Sequence, residues 1–178
     1  MTGTRLLCSR RPAVALLGAL LAALALAAFD TKAAAPDFVA DAAIGQSAQT
    51  SAADAVQFAK RQFNLALDGS EASIDDVERV LDRLHTSYAL ASPKPPDEQL
   101  LPLAKIFGAY VGEVYRRNHG ANWGTVTLNG SSYPGFRTDG GVNVWATGRV
   151  LNRIIDGPDS NIAFFYRKLV ADSAQPRN

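Results

Sequence analysis

The densest cluster of side chains that could do chemistry lies between positions 113 and 123. Glu113, Arg117 and His119 come shortly before Trp123. A carboxylate and an imidazole can exchange protons near neutral pH, so Glu113 and His119 are candidates for acid–base or ligand-binding groups. In the alternative interpretation, Glu113 and Arg117 form an i,i+4 ion pair worth about 0.3–0.5 kcal/mol. His119 then only complements the dipole at the end of a helix. We favour the second interpretation, in which the cluster is structural.

Other catalytic chemistries lack the residues they need. The chain has one cysteine, Cys8, and two histidines, His85 and His119. This excludes a cysteine-ligated zinc and a thiol nucleophile in the part of the chain after Cys8. No serine lies in a Gly-x-Ser-x-Gly elbow, and no phosphate-binding glycine motif is present. We therefore predict no catalytic residues, no bound metal and no cofactor.

The elements that would position these side chains follow from the spacing of apolar residues. Helical spacing predicts three helices, alternation and turn residues predict three strands, and helical spacing returns for two more helices. Gly108 and Gly112 lie four residues apart on the third helix, where each costs about 1 kcal/mol relative to alanine. We expect another backbone to approach there. The predicted helices cover residues 53–67, 74–89, 97–117, 148–155 and 160–170, and the predicted strands 123–128, 133–138 and 142–146.

This order predicts an α+β fold. It has three N-terminal helices, a three-stranded antiparallel meander, and two C-terminal helices packed on one face of the sheet. Asn129 and Gly130 indicate a tight hairpin turn, and Pro134 indicates an edge strand. An exposed edge could accept a strand from a partner. The candidate binding surface combines the corner residues with the open sheet face: Glu113, Arg117, His119, Trp123, Tyr133, Phe136 and Arg137.

The N-terminus carries the pattern of an export signal. Arg5, Arg10 and Arg11 are followed by residues 13–29, an uncharged run of mostly Ala, Leu, Val and Gly. Seventeen helical residues rise about 25 Å, which is short for a membrane span. An uncleaved anchor that tilts in the bilayer is the alternative. We expect residues 1–35 to be the export signal or a membrane anchor, 36–52 a flexible spacer, 53–172 one α+β domain, and 173–178 a disordered tail. The domain would then be periplasmic or secreted, or anchored to the inner membrane.

The charge balance argues against nucleic-acid binding. The chain has 18 basic and 17 acidic residues. Cleavage after Ala27 would remove Arg5, Arg10 and Arg11, leaving 15 basic residues against 17 acidic ones. A domain with this slightly acidic balance and no basic stripe cannot neutralise many phosphates. We predict an unidentified protein or small molecule as the partner, with membrane contact only through residues 13–29 and only if that segment is not cleaved.

One segment resembles a known type of domain. The run from Phe107 to Gly124, which reads FGAYVGEVYRRNHGANWG, is similar to small bacterial domains of the domain-of-unknown-function 3806 type. Val144-Trp145, residues 149–155 and Gly157-Pro158 would match the rest of the pattern, over about 76–169. Trp145 departs from it, because a proline is expected there. The resemblance implies a shared α+β fold and brings no catalytic residues.

Three functions remain open from the sequence. The leading expectation is an exported, non-catalytic binding or protein-interaction module of the bacterial envelope. The first alternative is an envelope hydrolase-like enzyme that uses Glu113 and His119 as acid and base. The second alternative is a toxin-neutralising or inhibitor protein, which would differ from the first function only in its partner.

Overall fold

The computed structural model describes residues 37–173. The predicted export signal or anchor, over 1–35, lies outside the described residues, and so do residues 174–178 of the predicted tail. Among the residues described, no helix is long and apolar enough to cross a membrane.

The described chain consists of five α-helices, four strands and one short 3₁₀ turn, so the predicted α+β class is confirmed. The 3₁₀ turn connects the last two helices at Gly157–Ser160. In chain order the elements are β1 (Phe38–Ala40), α1 (Ala42–Phe63), α2 (Ser73–Leu90), α3 (Asp97–His119), β2 (Ala121–Leu128), β3 (Ser131–Thr138), β4 (Asn143–Val144), α4 (Ala146–Asp156) and α5 (Ile162–Ser173).

The strands form one antiparallel sheet in the order β1-β2-β3-β4. The predicted meander corresponds to β2, β3 and β4, and its first turn is the two-residue loop Asn129-Gly130. Both loop residues have positive φ, 52° and 80°, as a type I′ hairpin requires. The prediction of three strands was one too few, because β1 pairs with the free side of β2.

The segment predicted as a flexible spacer is ordered, and that prediction was wrong from Phe38 onward. It contains β1 and the first half of α1, which begins at Ala42 and not at residue 53. The side chain of Asp41 caps the helix by accepting a hydrogen bond from the Ala43 N–H at 2.8 Å. The helix face that packs inward consists of small residues, which give little apolar periodicity: Ala48, Ser51, Ala52, Ala55 and Ala59.

The third helix is the centre of the core and packs against α1, α4 and the sheet. A Cβ at Gly108 would lie 2.7 Å from the backbone nitrogen of Thr147, so the expected backbone approach is confirmed there. At Gly112 the neighbour is a side chain, since a Cβ would lie 2.5 Å from the indole ring of Trp123. The two glycines therefore hold α4 and β2 close to α3.

The two C-terminal helices do not pack on one face of the sheet as predicted. Helix α4 packs mainly against α3 and α2, and α5 packs mainly against α2. The reason is that the apolar face of α4, with Val150 and Ile154 fully buried, meets the apolar stripe of α2 around Val77 and Leu81. The sheet is covered by α1 and α3 instead.

Candidate functional site

Glu113 is the most buried residue of the predicted cluster, with 2% of its surface exposed. Its carboxylate accepts two hydrogen bonds from Arg116, from Nε at 2.9 Å and from Nη2 at 3.0 Å, and one from Trp123 Nε1 at 2.7 Å. Arg117, the partner expected from the sequence, is farther away at 3.8 Å. The hydrogen bond with Glu113 raises the pKa of Arg116. The main partner of Glu113 is therefore Arg116, one position earlier than predicted.

Trp123 fixes β2 to the central helix. Its indole ring occupies the space left by Gly112, and it meets the ring of Phe136 edge to face at 5.4 Å between centroids. Phe136, which we placed on the open sheet face, is fully buried. Because its ring packs on Gly112 and Phe136 and its N–H is bonded to Glu113, the partly buried Trp123 has a structural role.

His119 has a different set of partners. Its Nε2 lies 2.6 Å from Oε1 of Glu71, and the hydroxyl of the buried Tyr166 donates to the same oxygen at 2.8 Å. The hydrogen bonds from His119 and Tyr166 lower the pKa of Glu71, whereas burial raises the pKa of Tyr166. Glu113 and His119 thus do not share a partner, and the carboxylate next to the imidazole is Glu71.

Glu71 should make stability depend on pH. Its pKa is lowered in the folded protein, so its contribution is present above the unfolded pKa, near 4.5, and is lost as pH falls through the folded pKa. We expect Glu71→Gln to cost about 1 kcal/mol or less at pH 7, because the group is partly exposed. The cost should disappear towards pH 3. Urea denaturation of both proteins from pH 7 to pH 3 measures this.

Asp54→Asn on α1 is the matched control, since Asp54 is exposed. A Glu71→Gln difference that stays constant over the whole pH range would contradict the assignment of the hydrogen bonds to Glu71.

Arg137 belongs to a third group of contacts, formed with the N-terminal strand. Its Nη1 lies 3.2 Å from Oδ1 of Asp37, and its guanidinium lies over the ring of Phe38 at 5.8 Å. The side-chain amide of Asn143 donates to the Asp37 carbonyl at 3.0 Å. The structure therefore places the predicted site residues in three separate groups, each of them paired within the fold.

A larger surface, which the sequence analysis did not identify, is a groove of about 640 Å³ between β4, α4 and α5. The cleft beside Arg116 and Trp123 measures about 460 Å³. The sequence contained one signal for the groove, since Phe164 falls outside the apolar stripe of its helix. The groove lining includes the aromatic residues Trp145, Phe164 and Phe165, the aliphatic residues Val142, Val144 and Leu169, and the polar residues Asn143, Arg149, Asn152, Asp159, Lys168 and Asp172.

The aromatic residues of the groove differ in how far they are already covered. Phe164 is 66% exposed. The guanidinium of Arg149 lies over the ring of Phe165 at 4.8 Å. The ring of Trp145 is stacked on Tyr133 at 4.0 Å between centroids. The groove therefore offers Phe164 as an open apolar contact beside aromatic residues whose positions are fixed by neighbours.

Several polar groups in the groove have no partner within residues 37–173. The side chains of Asn152 and Asp159 form no hydrogen bond or ion pair there, and Arg149, which lies over the ring of Phe165, forms no ion pair. Lys168, by contrast, is paired with Asp172 at 2.8 Å. Polar groups of this kind, next to apolar surface, are typical of ligand sites of about 300–1,000 Å³.

Comparison with known proteins gives no family and no relative for this chain. The chain matches no family model, no curated protein and no solved structure. In the part that the structure describes, no three side chains of His, Cys, Asp or Glu come together in a way that could hold a metal ion.

Proposed function

We propose that this chain is an exported, non-catalytic binding module of the bacterial envelope, and that the groove between β4, α4 and α5 is its binding surface. The observation that carries the proposal is the groove itself, with about 640 Å³ of space, an exposed Phe164 and unpaired polar groups. The residues predicted from sequence are a poorer choice, since Glu113, Trp123 and Arg137 already have partners inside the fold.

Export is supported by the basic N-terminus followed by the apolar run at 13–29. A cleaved signal would release the domain, and an uncleaved anchor would hold it at the inner membrane with the domain facing outward. The resemblance to domain-of-unknown-function 3806 proteins stays a prediction and suggests no ligand. A toxin-neutralising or inhibitor protein would use the same groove for a single tight partner.

A hydrolase-like enzyme is the second candidate function, with a different carboxylate beside His119 from the one that the sequence predicted. The observation that favours it is the short contact between His119 and Glu71, 2.6 Å, beside a cleft of about 350 Å³ that Glu71 and Tyr166 line. A carboxylate that orients an imidazole is a common arrangement for a general base. In this candidate, Glu71 replaces Glu113 as the partner of His119.

The proposal predicts that one exposed residue in the groove is needed to retain a partner. The full-length protein would be used for affinity capture from its native envelope, and the bait's N-terminus would be determined by mass spectrometry. We expect Phe164→Ser to reduce the captured partner at least about tenfold, as for a residue at the centre of an interface. Leu90→Ser is the matched control, since Leu90 is also exposed but lies at the end of α2.

If Phe164→Ser and Leu90→Ser lost the captured partner equally, the groove would not be the binding surface. If His119→Ala abolished a hydrolytic activity that Phe164→Ser retained, the enzyme candidate would replace the binding module. A bait that begins near Ala28 or Pro36 would support a cleaved signal, and an intact N-terminus would support the anchor.

A further inference from the structure

We propose that the groove takes an extended peptide segment of a partner protein, and that this segment adds a strand to the open edge of β4. The inference rests on the proposed function and names the chemical class of its ligand. Strand addition requires backbone hydrogen-bond groups that point out of a sheet edge, and pockets beside them for alternate side chains.

The pairing register shows where the backbone groups of β4 point. The Thr138 N–H donates to the Val142 carbonyl at 2.9 Å, and the Val142 N–H donates to Oγ1 of Thr138 at 3.0 Å, so these two residues hold a hydrogen-bonded position of the ladder. Bonded and non-bonded pairs alternate along an antiparallel ladder. Phe136 and Val144 are therefore the next bonded pair, and Arg137 and Asn143 lie opposite each other without exchanging bonds. The backbone N–H and C=O of Asn143 consequently point away from β3, on the side of the open edge.

The edge is short, but it continues past the end of the strand. β4 is the last strand in the sheet order, and only Asn143 and Val144 are assigned to it. The next residue, Trp145, is the N-cap of α4: its φ of −98° is still that of a strand, whereas its ψ of 81° turns the chain into the helix. By the same alternation its N–H points to the same side as the backbone groups of Asn143. An added strand would therefore meet three outward-pointing backbone groups in succession.

The opposite wall of the groove provides contacts for side chains. Phe164, Phe165 and Leu169 of α5 line it. Alternate residues of an added strand point to the same side, about 7 Å apart, so an apolar residue at every second position would reach this wall. The charged residues in the lining are balanced, with Arg149 and Lys168 against Asp159 and Asp172. We therefore infer a peptide with alternating apolar residues and little net charge.

A sugar ligand is less well supported by the same groove. A sugar needs an open aromatic face to stack on in addition to hydrogen bonds for its hydroxyls, and two of the three aromatic rings here already have a neighbour against them. Tyr133 and Gly148 both pack against the ring of Trp145, and Arg149 lies over Phe165. Backbone groups at a strand edge, by contrast, match the spacing of another peptide backbone. The groove therefore fits a peptide better than a sugar.

The test uses the full-length protein and a displayed library of random eight-residue peptides. We expect enriched peptides to carry apolar residues at alternate positions. Binding of a synthetic copy should fall about tenfold in Asn143→Pro, which removes one outward N–H and leaves the bonds to β3 intact. Asn143→Ala is the matched control, because it removes the side chain and its bond to Asp37 but keeps the backbone N–H.

A second readout does not depend on the folding of a variant. Single N-methylation along the peptide should weaken binding to the unaltered protein only where the peptide N–H faces β4, and most at the position opposite the Asn143 carbonyl. N-methylation that has no effect at any position would overturn strand addition. Strand addition would also be overturned if Asn143→Pro folds, as judged by its thermal unfolding, and binds the peptide as tightly as Asn143→Ala does.

The outcomes also separate this inference from the proposed function. If no peptide is enriched and a glycan array gives a ligand that Phe164→Ser loses, the peptide is overturned while the groove remains a binding site. If an enriched peptide binds equally to Phe164→Ser and Leu90→Ser, both the peptide inference and the choice of the groove are overturned.

Discussion

Gly108→Ala is expected to lower the free energy of unfolding by about 3 kcal/mol, at the upper end of the usual cost of overpacking. The added Cβ would lie 2.7 Å from the nitrogen of Thr147 and 2.9 Å from the carbonyl carbon of Ala146. Both are backbone atoms at the start of α4, so they cannot rotate away as a side chain could. The gain in helix propensity, about 1 kcal/mol, offsets only part of the cost.

Urea denaturation followed by circular dichroism would measure this loss. Gly140→Ala is the matched control, because the nearest atoms to a Cβ there are 3.5 Å away or more, which is ordinary contact. We expect the control to change the stability by less than about 0.5 kcal/mol. A Gly108→Ala protein as stable as the control would mean that α4 does not lie as close to α3 as described.

The same substitution should also affect the groove. To relieve the contact, the first turn of α4 must move away from α3, and that turn carries Arg149 and follows Trp145, both of which line the groove. A residue of α3 that does not line the groove would thereby change ligand binding without touching the ligand. A stability loss accompanied by weaker capture of the partner is the expected combination.

Local patterns in the sequence predicted the elements that local interactions determine. The stripe from Leu100 to Val114 located the central helix, because its apolar residues recur at helical spacing. Asn129-Gly130 located the hairpin, because few other residue pairs tolerate positive φ at both positions. The third helix ends at His119, two residues beyond its predicted end, and the next residue, Gly120, has positive φ.

The first helix was misjudged because its buried face is made of small side chains. Ala55 and Ala59 are fully buried, yet alanine contributes little to an apolar period and is common in linkers. The burial of this face depends on the large residues of α3 that pack against it, such as Phe107. Since those residues lie far away in sequence, no local pattern could identify the face as buried.

The site was hard to predict because its contacts are long-range. The hydrogen bond between His119 and Glu71 joins residues 48 positions apart, and Tyr166 is 95 positions from Glu71. The groove likewise forms only when α5 lies beside β4. The sequence identified the polar cluster itself, but the choice of Arg116 over Arg117 as the partner of Glu113 depends on the side-chain geometry at the end of the helix.

Arg153→Ala is expected to cost about 3 kcal/mol, the lower end of the loss found when one partner of a buried ion pair is removed. Arg153 is 1% exposed, and it donates to Glu78 at 2.6 Å and to Asp82 at 2.9 Å. The other carboxylate oxygen of Glu78 accepts from the Ile162 N–H at 2.7 Å. The third guanidinium nitrogen of Arg153, Nη1, has no partner within residues 37–173. For this reason we expect a loss at the lower end of the usual range.

The matched control is Arg167→Ala, which removes an ion pair with Asp75 in which both side chains are 65% exposed. That loss should stay below about 1 kcal/mol, because exposed pairs contribute little. Adding Glu78→Gln to Arg153→Ala should recover part of the stability, since no unpaired charge is then left in the interior. Equal costs for the two arginine variants in urea denaturation would contradict this account.

Because Glu78 bonds both Arg153 of α4 and the start of α5, loss of this arginine should loosen the two helices that line the groove. We therefore expect it to weaken ligand binding as well as folding.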